Sequence, residues 1–145
     1  MQVYRLIYGS RARADLLDHM PAHVRQIVET SQRNNAAVGV TGLLLSQGNV
    51  FVQALEGDRA AVEAVYARVS RDARHQDVRI VSAESAPKRL FAAWSMCARS
   101  LSAGDARLLE LIGDGEDLDP EALDPIPTLN LLAAVAQMRD LDLAA

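Results

Sequence analysis

One cysteine, Cys97, stands among the 145 residues, which excludes an internal disulfide and every paired-cysteine redox or zinc motif. No apolar run approaches the ~18 residues of a membrane-spanning helix. The opening residues also lack the apolar stretch of a secretory leader, so the protein is expected in the cytoplasm and away from membranes. A basic excess is missing as well. A pI of about 5.3 argues against general nucleic-acid binding. There is no internal repeat and no low-complexity block. Tryptophan occurs once, at Trp94, and a lone tryptophan by default fills a core or plugs an edge.

What is present is the composition of an ordinary globule, with half the residues hydrophobic and 23% charged. The length suits one domain of ~100–150 residues, long enough to bury a core without staples. Charge is unevenly placed. Residues 1–100 carry 13 basic and 9 acidic side chains, whereas residues 101–145 carry 2 and 10. The first part tolerates an anionic ligand and the tail repels one.

Residues 3–8 are β-branched, aromatic and apolar, and predict a strand. After a polar stretch, Pro21 suits the first turn of a helix. The stripe Val24, Ile27, Val28 and Ser31 extends that helix to about Gln32 or Arg33, with the pair Asn34-Asn35 ending it. Residues 39–45 and 50–55 predict two strands joined by Gln47-Gly48-Asn49, a hairpin. Gly57-Asp58 stops the third strand and caps a second helix, whose apolar face is Ala61, Val62, Val65, Tyr66 and Val69. Arg74-His75 fall in the loop beyond it. Residues 78–82 and 90–97 predict strands four and five. The order is βαββαββ, an α+β class with both helices on one face of the sheet. In the tail, Ser102 to Asp105 has capping-box form, predicting a helix over about 103–112. An acidic connector follows, and Thr128 is expected to cap a fourth helix. The stripes Leu108, Leu111, Ile112 and Leu131, Leu132, Val135, Met138 are expected to bury these two helices on the opposite face of the sheet.

Strand parity sorts the residues that carry chemistry. Tyr4, Leu6 and Tyr8 share a face, as do Phe51, Gln53 and Leu55, and as do Ala92, Trp94 and Met96. Gln53 is the odd member of its set. An unpaired buried amide costs ~1–3 kcal/mol, so either a phenol such as Tyr8 or a ligand's polar edge satisfies it, or Gln53 lies on an exposed face. Asn34 and Asn35 read as a helix C-cap or as two amides set against the edge of a heterocycle. Arg74 and His75 read as plain loop residues or as contacts for a carbonyl or phosphate.

Together these segments resemble a family. Tyr4 to Ser10, Asn34-Asn35, Gly39 to Leu44, Phe51 to Gly57, Asp72 to His75 and Trp94-Ser95-Met96 are similar to a BLUF domain, a blue-light sensor that uses a flavin. The resemblance runs in unbroken order over roughly residues 2–97. It implies a ferredoxin-like fold with FAD, or FMN or riboflavin in its place, held between the two helices. It implies that Tyr8 and Gln53 are the photoactive pair, with Trp94 and Met96 beside Gln53 relaying the signal through strand five. It further implies that Asn34 and Asn35 bind the pyrimidine edge of the ring, that Arg74 and His75 lie near a flavin carbonyl and the side chain, and that Ile27 and Phe51 flank the ring. No metal and no catalysis are implied. Because residues after 97 leave no room for a cyclase or phosphodiesterase domain, the chain resembles the short members. Residues 1–98 are then the sensor and 99–145 a helical extension of the same unit. Output is expected to pass to a separate protein or through a homo-oligomer.

Two other classes share the element order. An RNA-binding module requires a basic-glycine-aromatic pattern on its third strand, which residues 49–57 lack. A ferredoxin-like ligand-binding regulator would use Arg74 and Asn34 to hold an anion. A LOV-type photoadduct needs a cysteine in an Asn-Cys-Arg setting, and Cys97 follows Ser95-Met96 instead.

Overall fold

Three strands rich in apolar residues on both faces form the centre of the sheet. They are β1 (Val3–Ala12), β2 (Thr41–Gln47) and β3 (Val50–Gly57). Every residue of β3 is buried, as expected where layers cover both sides of a strand. The edges are β4 (His75–Ala86) and β5 (Cys97–Ser100), giving the order β4-β1-β3-β2-β5. All neighbours are antiparallel except β2 and β5. This is the architecture of a computed structural model that describes residues 2–92, 96–112 and 117–144. Among the described residues no helix is long and apolar enough to cross a membrane.

The β2–β3 hairpin closes on two residues, with Gln47 opposite Val50. Gly48 takes φ +55° at the first of them, where a two-residue hairpin loop favours glycine. Helix α1 (Met20–Ala37) begins with Pro21 in its first turn and ends where Gly39 adopts φ +70°. Helix α2 (Arg59–Ser70) follows β3 directly. Both helices pack on one sheet face, where Val24, Ile27, Val62 and Val65 meet Leu6, Tyr8, Leu44, Phe51 and Leu55. The opposite face, with Ile7, Leu43, Leu45, Val52 and Ala54, is covered by α3 (Ala106–Leu109) and α4 (Pro125–Ala144) through Leu109, Leu131, Leu132 and Val135. The two-sided arrangement of helices is thus as expected from the stripes.

Several boundaries are not. Strand five starts at Cys97, not at residue 90. The Leu90 and Phe91 amides donate to the Glu56 carboxylate at 2.8–3.0 Å instead of to a neighbouring strand, so the ladder cannot begin there. Asn34 and Asn35 lie inside α1; Gly39 turns the chain, and the amides of Val38 and Val40 both reach the Asn35 carbonyl. The helix expected over 103–112 is a 3-10 turn, Ala103–Asp105, and the single turn α3. Leu111 and Ile112 return to i→i+3 bonds, and Leu111 is exposed. The Ser102–Asp105 capping box is present. Thr128 does not cap α4. It lies in the helix, buried. Part of the polar stretch before α1 is a 3-10 turn, Ala14–His19.

Candidate functional site

Tyr8 and Gln53 are direct partners across the β1–β3 ladder, which places both side chains on the face covered by α1 and α2. Each is 2% exposed. The Tyr8 hydroxyl donates to Gln53 Oε1, and Gln53 Nε2 donates to Met96 Sδ at 3.2 Å. The odd amide is therefore inside and satisfied at both ends; it does not lie on an exposed face. Burial pushes the Tyr8 phenol well above its ordinary range, and Tyr66 and Asp72 add to the effect. The Tyr66 ring meets Tyr8 edge-on at 5.6 Å.

Met96 owes its seat to Gly42. A Cβ on Gly42 would lie 3.2 Å from Met96 Cε and 2.2 Å from the Ala54 carbonyl oxygen, so only glycine lets the thioether reach Gln53 at this place. Residues 88–91 are fixed from the other side of the sheet. Arg5 and Glu56 pair directly across β1 and β3, with Arg5 Nε 2.8 Å from Glu56 Oε2. The carboxylate is fully buried and takes the Leu90 and Phe91 amides, while Arg5 Nη2 donates to the Lys88 carbonyl at 3.2 Å.

A cleft opens over the Tyr8–Gln53 pair. Its apolar walls are Ile27, Leu44, Phe51 and Val69, and its polar rim is Asp72, Arg74 and His75. Arg74 is not a free cation. Its Nη2 lies 2.5 Å from Asp72 Oδ2, and its own amide donates to Asp72 Oδ1. That pairing holds the Asp72 carboxyl below its ordinary value. His75 Nε2 donates to the Val69 carbonyl at 2.5 Å, and its Nδ1 pairs with the Ser10 hydroxyl at 3.0 Å.

The structure thus brings Tyr8, Ile27, Phe51, Gln53, Arg74 and His75 around one cleft, with Met96 behind Gln53. Asn35 is buried and Asn34 half-buried on the last turns of α1, but neither lines the cleft. Trp94 lies outside the described residues. Leu44, Val69 and Asp72 are additions to the expected site residues. Leu44 sits directly opposite Gln53, and Val69 belongs to the apolar face of α2, so parity and helical spacing could have found both. For Arg5 and Glu56 the sequence carries no local signal, because charged strand residues read as solvated.

Apolar walls, a buried amide and phenol at the base and a polar rim suit a ligand with an apolar face and polar edges. Residues 3–97 match the profile of the BLUF family, sensors of blue-light using FAD. The chain is 34% identical over 86 residues to the blue light- and temperature-regulated antirepressor BluF of Escherichia coli K12, a match covering 59% of this chain and 21% of that one. It is 40% identical over 65 residues to the photoactivated adenylate cyclase subunit beta of Euglena gracilis, covering 45% of this chain and 8% of that one. The match therefore spans about a fifth or less of these curated relatives. Among solved structures, BlrB in its dark state superposes with a TM-score of 0.73 at 31% identity, covering 92% of this chain and 97% of that one. Photo-activated BlsA superposes with a TM-score of 0.82 at 24% identity, covering 94% and 95%, a likeness of fold.

Proposed function

The chain belongs to the BLUF family of blue-light sensors that use FAD, and from that premise we propose that Tyr8, Gln53 and Met96 are its light-switched hydrogen-bond network. The cleft between α1 and α2 is the flavin site, with Ile27 and Phe51 against the ring and Arg74 and His75 toward a carbonyl and the side chain; Asn34 and Asn35, on the last turns of α1 beyond the cleft's own lining, are assigned to the pyrimidine edge. When bound, the flavin supplies blue-light absorption and an excited state that accepts an electron from a nearby phenol. The residues supply the memory.

The observation that carries this reading is the Tyr8–Gln53–Met96 chain. Burial keeps the Tyr8 proton on its oxygen in the dark, so the phenol donates to Gln53 Oε1. A phenol also accepts, whereas a thioether is only a weak acceptor. If the amide turns about, its N–H finds Tyr8 Oη, and what is given up at Met96 Sδ is a weak bond. The amide thus has two arrangements with different partners, which is the condition for a switch. Trp94 joins Met96 as a relay in this proposal.

Residues 1–98 form the sensor, and 99–145 are a helical extension of the same unit that carries the signal outward. The extension covers the sheet face opposite the cleft, and β5 leads straight into it. Members of this family signal to effectors. For this chain we assign no catalysis of its own, a cytoplasmic setting, and output through a separate protein or a homo-oligomer without direct nucleic-acid contact. The absorption spectrum of the FAD-loaded protein, in darkness and after blue light, tests the function. A reversible red shift is expected, and Tyr8→Phe and Gln53→Leu should bind flavin yet lose the shift. A normal light-state spectrum in either variant refutes its role, and a near-ultraviolet adduct band in the wild type refutes the photochemistry.

A further inference from the structure

Gln32 makes a contact that the Tyr8–Gln53–Met96 chain does not account for. It lies on α1, two residues before Asn34, and its Nε2 donates to the Met96 backbone carbonyl at 3.0 Å. Met96 is therefore held twice: its sulfur accepts from Gln53 and its carbonyl accepts from Gln32. The two bonds come from opposite sides, one from the sheet and one from a cleft helix. Met96 also stands at the entrance to β5, whose first residue is Cys97. We propose that Gln32 is a positioning residue of the switch: its amide anchors the Met96 peptide so that the thioether stays within reach of Gln53 when the Gln53 amide turns away and returns.

The inference rests on the light-switched network above. In the dark arrangement Met96 has both ties. Once the Gln53 amide has turned, the sulfur tie is gone and the carbonyl tie to α1 remains. Recovery requires Gln53 Nε2 to find Met96 Sδ again. With the peptide anchored, the sulfur is waiting in place, and without the anchor the recovering amide must wait for Met96 to return. Gln32 is itself exposed, so its truncation removes little packing. The anchor also ties β5 to the helix that carries Asn34 and Asn35, which makes α1 the common support of the proposed ring edge and of the output strand.

The test uses the FAD-loaded full chain. Thermal return from the light state is timed in the wild type, Gln32→Ala, Gln32→Glu and Gln32→Lys. Glutamate keeps the shape and loses the donor, whereas lysine keeps a donor of similar reach. Re-ordering one freed side chain slows such a step about three- to tenfold. Gln32→Ala and Gln32→Glu should return about three- to tenfold more slowly, with Gln32→Lys within about twofold of the wild type. Flavin content and the size of the red shift should be unchanged in all, and the melting temperature should fall by no more than about 4 °C. Carbonyl-labelled methionine gives a second readout: the dark-state Met96 C=O stretch should move to higher frequency in Gln32→Ala and Gln32→Glu. Unaltered recovery in both variants overturns the proposal, as does Gln32→Lys returning as slowly as Gln32→Ala. A wild-type protein with no red shift would instead sink the photosensor reading itself, so the two failures are distinct.

Discussion

Arg5→Ala isolates the ion pair that frames the approach to Met96. Glu56 is 0% exposed and Arg5 is 6% exposed, so the variant leaves a carboxylate in the core without its cation. The Leu90 and Phe91 amides still donate to it at 2.8–3.0 Å but bring no full charge. Breaking a buried pair from one side costs about 3–5 kcal/mol. Loss of the bond from Arg5 Nη2 to the Lys88 carbonyl adds about 0.5–1.5 kcal/mol. Against the ~5–15 kcal/mol of a whole domain, that is a large share. Equilibrium urea unfolding reads it directly: with a slope of ~1–3 kcal/mol/M, the midpoint should fall by about 2 M. A second variant separates the ion pair from the frame. Replacing a buried pair by apolar residues is often neutral, so Arg5→Met with Glu56→Met would restore stability if the pair were all that mattered. Here it also strips two amides of their acceptor at about 1–3 kcal/mol each, and the double variant should stay destabilised. A loss under about 1 kcal/mol for Arg5→Ala, or a double variant as stable as the wild type, would show that Glu56 does not hold this loop.

Three further outcomes are expected. Gly42→Ala forces a methyl to within 2.2 Å of the Ala54 carbonyl and 3.2 Å of Met96 Cε. It should cost about 1–3 kcal/mol and alter dark recovery; wild-type stability and kinetics together would refute the seat assigned to Met96. Asn35→Ala should weaken flavin binding by about 5- to 150-fold, the equivalent of one unpaired buried polar group, and an unchanged titration refutes the contact. Because burial holds the Tyr8 phenol above its ordinary value, the folded chain keeps a proton that the unfolded chain loses above about pH 10. The stability from this group is then full below that pH and falls above it, by up to ~1.4 kcal/mol per pH unit. A near-ultraviolet titration of the wild type against Tyr8→Phe checks the sign, and a Tyr8 phenolate near pH 10 in the folded protein would refute it.

Tyr8 and Gln53 are legible in the sequence because strand alternation is a local rule and both faces of this sheet are buried. A glutamine between Phe51 and Leu55 stands out against that rule, and the ladder supplies Tyr8 as its partner. Strand five is displaced from its expected start for the converse reason. Leu90 and Phe91 look like strand residues, but their amides are captured by a carboxylate 34 and 35 positions away. No local pattern records such a contact. Arg5 and Glu56 are equally silent: single charges in strands read as solvent-facing, and only the register that sets them opposite each other turns them into a buried pair. The Asn34-Asn35 pair imitates a helix end because asparagine tolerates the left-handed turn that Gly39 in fact makes.

Strand β3 grips the connection to β5 at two points of unequal strength. Gln53 and Glu56, three apart on one strand, project to opposite faces. Glu56 holds the start of the connection at Leu90 and Phe91, and Phe91 packs in the core under α3 and α4. Gln53 holds its end at Met96, in the core under α1 and α2. The bonds to the carboxylate are charge-assisted and roughly twice as strong as neutral ones, whereas the bond to a thioether is weak. A rearrangement at Gln53 must therefore free the Met96 thioether first, while the Met96 carbonyl stays tied to Gln32 and the Glu56 end stays fixed. Light-dependent hydrogen exchange is expected to rise across residues 96–100 and to leave the Leu90 and Phe91 amides as protected as in darkness. Equal loosening at both ends would mean that the Glu56 frame yields with the switch, and that the signal leaves through the whole connection and not through β5.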